Sequence, residues 1–154
     1  MALMSIGSRA PLGRLAVSAI SLEIFLGVGA IGGGAALMLG PRGEIIPLPV
    51  SALAGTPFGT YLVPGLILFT ALGVGSLSAA ALAWRRHPIA PLFALGVGLA
   101  LIIWIAAQIA LIGYSSAPPL QAVYLVLGFL IALVGFGWLR QVEWITGRQS
   151  ALRG

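Results

Sequence analysis

One acidic residue interrupts an otherwise uncharged run, Glu23, eight residues past Leu15. At about 1.5 Å of rise per residue, a helix carries it roughly 12 Å into a bilayer. A charge at such depth costs on the order of 3 kcal/mol, and residues of this kind face inward. The expectation is an inward-pointing carboxyl in its neutral form. Ser76 and Ser78 count to nearly the same depth on a later stretch. A structural hydrogen bond and a proton or ligand site are therefore both open to Glu23.

Three more polar residues fall together by the same counting. Gln108 lies five residues before the end of its apolar stretch, and Gln121 and Tyr124 lie near the start of the next. They suit an interhelical hydrogen-bond cluster worth ~0.6–2 kcal/mol per bond. The polar end of a lipid- or quinone-sized pocket is the alternative. His87 is the sole histidine, so two axial haem ligands within one chain are excluded. Cysteine and aspartate are absent, and the acids are Glu23, Glu44 and Glu143 alone. Paired carboxylates, HExxH, a nucleophile elbow and a phosphate-binding loop are all missing. Gly27 to Gly32 spells GxGxxG, yet no strand precedes it, so these are packing glycines. The sequence thus predicts no enzyme, no cofactor and no metal.

The elements that must carry these residues follow from composition. The chain is 60% hydrophobic and only 7% charged, against about 25% charged in an ordinary soluble domain. Four charge-poor stretches, 15–39, 61–84, 91–113 and 120–139, are each long enough to cross ~30 Å of hydrocarbon as a helix. The predicted fold is all-α, one polytopic membrane domain built as a four-transmembrane-helix bundle. Gly40-Pro41, Arg85-Arg86-His87-Pro88 and Ser115 to Pro119 punctuate it. Glu23 and the length of the first stretch argue against a cleaved leader.

Lysine is absent, and the arginines divide unevenly. Arg9 and Arg14, Arg85 and Arg86, and Arg140, Arg148 and Arg153 fall on alternate segments, while the 40–60 loop has only Arg42, beside Glu44. By the positive-inside rule both termini are cytoplasmic, in a cell (inner) membrane. The net charge of +5 reads as topology and anionic headgroups, with no nucleic acid implied. Trp84, Trp138, Trp144, Tyr61 and Tyr114 sit near span ends, where aromatic belts form. The 40–60 loop is too apolar for a free linker, and Pro49 and Gly55 leave room for one helical turn. It is expected to cover the outer helix ends.

Helices in lipid associate through small residues. Ala16, Ala19, Glu23, Gly27, Ala30 and Gly34 share one face of the first span, with Gly29 and Gly33 on a neighbouring stripe. Gly96, Ala100, Trp104 and Gln108 line the third, and Gln121, Tyr124, Gly128, Ala132 and Gly135 the fourth. With 22 glycines there is a surplus of close-approach surface, which points to a partner or self-association.

The run Gly33-Gly34, Pro41-Arg42-Gly43, Leu48-Pro49, Leu53, Thr56-Pro57-Phe58, Tyr61-Leu62 and Pro64-Gly65-Leu66, with Trp104 and Gln108, resembles a pattern in small, functionally uncharacterised four-helix bacterial membrane proteins. The resemblance spans roughly residues 26 to 113 and implies the same topology, with no activity attached. The first functional expectation is a non-catalytic accessory or structural subunit of a membrane assembly, or a homo-oligomer. The second is a small carrier, or a bundle that binds lipid or another hydrophobic ligand, with Glu23 as its proton or ligand site.

Overall fold

The computed structural model describes residues 12–114 and 118–151, with side chains described up to 143. Every long element among them is a helix: α1 Arg14–Leu39, α2 Leu62–Trp84, α3 Ala90–Ile112 and α4 Leu120–Ala151. All four are long and apolar enough to cross a membrane. Large apolar side chains line the outside of the bundle, with Phe25 63%, Ile103 68% and Leu133 66% exposed. Such a surface fits lipid and not water. The core joins all four helices through Leu26 and Ala30, Leu72 and Ala79, Leu101 and Ile105, and Leu127 and Ile131.

The helices alternate in direction, so Arg14, Arg85, Arg86 and Arg140 gather at one end of the bundle, here the arginine end. The 40–61 segment closes the opposite end. Tyr61 donates its amide to Pro41 O at 2.8 Å and its hydroxyl to Pro49 O at 3.0 Å. Leu53, on a single 3₁₀ turn Val50–Leu53, is buried with Leu37 and Tyr61. Gly43 takes a φ of +89°, and a Cβ there would collide with the Leu48 carbonyl, so only glycine makes this turn comfortably.

α4 departs from its expected end at residue 139. Its apolar span runs to Glu143 and the helix continues to Ala151. Charge lowers hydropathy, but Arg140, Gln141 and Glu143 are good helix formers, and no proline intervenes.

A second departure lies inside α2. Leu68–Val74 winds as a π-helix between two α-helical pieces, Leu62–Ile67 and Gly75–Trp84. Its consequence is registry. Gly27 and Gly34 of α1 stand seven residues apart and meet Gly73 and Gly65 of α2, which stand eight apart. At about 100° per residue, seven residues return to within roughly 20° of the same face, whereas eight miss by about 80°. The wider π turn absorbs the extra residue, so both α2 glycines face α1. The contact is tight: a Cβ on Gly34 would lie 2.8 Å from Gly65 O, and one on Gly27 would lie 3.2 Å from Gly73 O.

α3 and α4 pack just as closely. A Cβ on Gly98 would run into the Ala132 backbone, one on Gly135 into Leu95, and one on Gly128 would lie 2.9 Å from Ile102 Cγ1. The inward face of α3 is thus Ala94, Val97, Gly98, Leu101 and Ile105, a correction to the expected one. Gly96 and Ala100 are exposed, and Trp104 and Gln108 only half-buried. Gly96 and Gly98 sit about 200° apart around the helix, so the chain offers two small-residue faces, and the fit to Ala132 selects Gly98. On α1 the Glu23 face is buried throughout, while Gly29 is exposed and Gly33 half-buried against Leu68.

Candidate functional site

Among the described residues, Glu23 and Ser76 form the one buried layer that mixes acid and hydroxyl. Gly27, one turn above Glu23, lets α2 approach until Leu77 Cδ2 lies 2.7 Å from where its Cβ would be. The π turn then sets the rotation of the piece that follows, and Ser76 arrives beside the Glu23 carboxyl. Both residues are 0% exposed. Ser76 is the hydrogen-bonding neighbour of the carboxyl, and neither Glu23 oxygen nor Ser76 Oγ has a partner outside the pair.

Ser76 differs in this from three other hydroxyls on these helices. Ser21, Thr70 and Ser78 donate to the carbonyls of Val17, Leu66 and Val74 at 3.0, 2.7 and 2.8 Å. Each is thereby satisfied one turn back along its own helix, the usual solution in a helix. Ser78 is exposed and so does not share the layer, whereas Ser76 leaves its hydroxyl for the space in front of Glu23. What the pair can do chemically is limited and clear. A protonated carboxyl would offer one donor, an ionised one only acceptors, and the hydroxyl either.

The second expected cluster separates. Gln121, 8% exposed, donates Nε2 to Gly113 O at 3.1 Å and ties the start of α4 to the end of α3. Carbonyls at a helix C-terminus lack partners within the helix, which is why the glutamine turns there. Tyr124 reaches α1 instead, its hydroxyl 3.4 Å from where a Gly29 Cβ would stand. No hydrogen bond among the described residues joins Gln108 to either. Depth counting matched their levels but carried no information about direction around each helix. A polar atom that sequence reasoning did not single out is Trp104 Nε1, also buried without a partner.

The helix ends carry the remaining polar groups. His87 is exposed, and its Nδ1 accepts from the Ile89 amide at 3.4 Å. Trp84 and Tyr114 are 70% and 56% exposed at the ends of α2 and α3, as residues of an interfacial belt would be. Trp138 is half-buried beside Ile20 and Ala90, and Trp144 lies outside the described side chains. Arg140 stacks 5.1 Å over the Phe136 ring, while Glu44 accepts from the Arg42 amide at 2.8 Å. Burial holds the Tyr61 phenol above the ordinary tyrosine range.

One groove of about 300 Å³ opens on the outside of the bundle between α1 and α2, running toward the arginine end. Ile20 and Ile24 form one wall and Leu77, Ala80 and Ala81 the other, with Trp84 and Arg85 at the mouth. Ile20 and Ile24 flank Glu23 in sequence, and Leu77 follows Ser76. The buried pair therefore sits one side chain behind the groove wall.

No protein-family model, curated protein or solved structure matches the chain. The resemblance to small bacterial four-helix proteins is thus carried by its quoted residues alone. Any functional reading has to rest on Glu23, Ser76 and what surrounds them.

Proposed function

We propose that the protein is a small, non-enzymatic membrane carrier in which Glu23 binds and releases a proton, with Ser76 as its hydrogen-bonding companion. One observation carries the reading: the three buried polar atoms of this layer have no protein partner outside the pair. Each such group costs on the order of several kcal/mol in hydrocarbon. A carboxyl serving only as a structural anchor would have its hydrogen bonds made. In the proposed cycle the carboxyl takes a proton at one oxygen and donates it toward Ser76 Oγ. On release the proton leaves toward the water at the arginine end, past the wall formed by the single layer Ile20, Ile24 and Leu77. The π turn just before Ser76 is the element whose rewinding opens that wall, and π segments are frequent at functional sites.

The orientation belongs to the same proposal. The termini are cytoplasmic in a bacterial inner membrane, which puts Glu23 in the cytoplasmic half. Cysteines introduced singly at Ser8, Ser51, Ser116 and Ser150 test it. Reagent outside the cell labels 51 and 116, and labelling at 8 or 150 overturns it.

The carrier is tested in phospholipid vesicles holding a pH-sensitive dye, with a proton gradient imposed across them. Wild type dissipates the gradient faster than empty vesicles. Glu23→Gln, which keeps shape and hydrogen bonding, abolishes the excess without loss of folded protein. A wild-type rate equal to that of empty vesicles, or an excess that survives in Glu23→Gln, rejects the reading.

The subunit or homo-oligomer reading keeps one specific support. Most close-approach glycines are spent inside the bundle, but Gly96 has nothing within 4 Å of its Cβ position and stands with Ala100 on the outer face of α3. A second helix could approach there. A monodisperse monomer in mild detergent, with no membrane partner crosslinked through α3, rejects it.

A further inference from the structure

A carrier needs its proton site to be reached from both ends of the bundle, and release toward the arginines accounts for one of them. Among the described residues, one further buried polar atom has no partner, and it lies toward the other, capped end: Trp104 Nε1. An indole N–H can only donate, and a buried donor left without an acceptor is costly. Val97, Leu101, Trp104 and Gln108 follow one another at spacings of four, three and four, so they share one stripe of α3. Val97 and Leu101 are buried in the core with Leu72 of α2. Past them, toward the capped end, the stripe turns polar. Gln108 is half-buried, and its side-chain amide bonds to none of the described residues.

We infer that Trp104 and Gln108 hold a water between them and form a water entry from the capped end toward Glu23. One helical turn separates the two residues, about 6 Å of rise. Two hydrogen bonds of ~2.8 Å through a single water cover that span. The water accepts from Trp104 Nε1 and donates to Gln108 Oε1, and two polar partners suffice to hold a buried water. Trp104 stands eight residues from the capped end of α3, and Glu23 sixteen from that of α1, or about 12 and 24 Å. The indole is therefore halfway to the acid. Leu72 and Leu101, each 1% exposed, close the remaining stretch. Leu72 belongs to the π segment, which packs against α3, so rewinding that segment moves the plug. The inference rests on the reading of Glu23 as a proton site.

NMR of the full, uniformly isotope-labelled chain in detergent micelles tests it, with the four indole N–H signals assigned by replacing each tryptophan with phenylalanine. In the wild type the Trp104 indole shows a cross-peak to water and exchanges with deuterium, while the Leu101 amide one turn inward stays protected. Gln108→Met keeps the shape and removes the second partner of the water. It slows indole exchange about fivefold, the worth of one hydrogen bond, and lowers the excess proton flux in vesicles by a similar factor. Unchanged signals from the other three indoles qualify the variant. A wild-type Trp104 indole that exchanges as slowly as the Leu101 amide overturns the entry, and that measurement needs no substitution. Exchange that Gln108→Met leaves unchanged overturns it too, as does an excess flux that the variant leaves untouched, since protons then enter elsewhere. A wild type without excess flux rejects the carrier and not the entry, which indole exchange then decides alone.

Discussion

Deleting one residue from a membrane helix ordinarily rotates everything beyond it by about 100°. The registry of α2 inverts that expectation for Ala71, an exposed residue in the π segment. Without it Gly65 and Gly73 stand seven apart, a regular α-helix returns both to the α1 face, and Ser76 still meets Glu23. Stability should change by no more than about 1 kcal/mol, since only an exposed side chain and the π turn are lost. Deleting Val28 from α1, equally exposed, is the contrasting case. Every later residue then steps back one place, so Ile31 replaces Ala30, which is 3% exposed, and Ala35 replaces Gly34. The alanine Cβ would lie 2.7 Å from Phe69 N and 2.8 Å from Gly65 O. Each overfilled position costs about 1–3 kcal/mol, so the Val28 deletion loses roughly 2–6 kcal/mol. Titration with a denaturing detergent, followed by tryptophan fluorescence, measures both. Equal losses for the two deletions would refute the registry argument.

Three smaller tests address other parts of the bundle. Ser76→Ala removes the hydroxyl that faces the Glu23 carboxyl and should cost about 1 kcal/mol; a comparable gain would mean that the two groups are not bonded. Gly98→Ala drives a Cβ into the Ala132 backbone and should cost at least 1–3 kcal/mol, whereas Gly96→Ala meets open space and should be neutral or gain up to ~1 kcal/mol in helix propensity. Tyr61→Phe breaks the 3.0 Å bond to Pro49 O, costing about 1 kcal/mol and speeding labelling of a cysteine at Ser51. Because burial raises the Tyr61 phenol, its contribution is complete below the free tyrosine value near 10 and is lost as pH climbs through the raised folded value. The ratio of labelling at 51 in Tyr61→Phe to that in the parent, which cancels the thiol's own titration, should therefore be constant from about pH 6 to 9 and fall toward one above about 10.

Hydropathy and punctuation alone determined the number and rough extent of the helices, because lipid leaves a long uncharged stretch no other backbone form. The same reasoning found Glu23, since an acid in such a stretch is conspicuous against its neighbours, and it placed Glu23 on the α1 face that packs. It read that face correctly because Ala16, Ala19, Gly27, Ala30 and Gly34 leave α1 with a single continuous small-residue stripe through the acid. α3 presents two, through Gly96 and through Gly98. Choosing between them takes the shape of α4, where Ala132 comes too close for any side chain. The π turn was equally out of reach, for nothing in Leu68 to Val74 favours it locally. It exists because two glycines eight residues apart on α2 must meet two that are seven apart on α1, a condition that belongs to the pair of helices. Gln108, Gln121 and Tyr124 show the same division: composition fixes how deep a residue lies, but only the packed neighbour decides which way it turns.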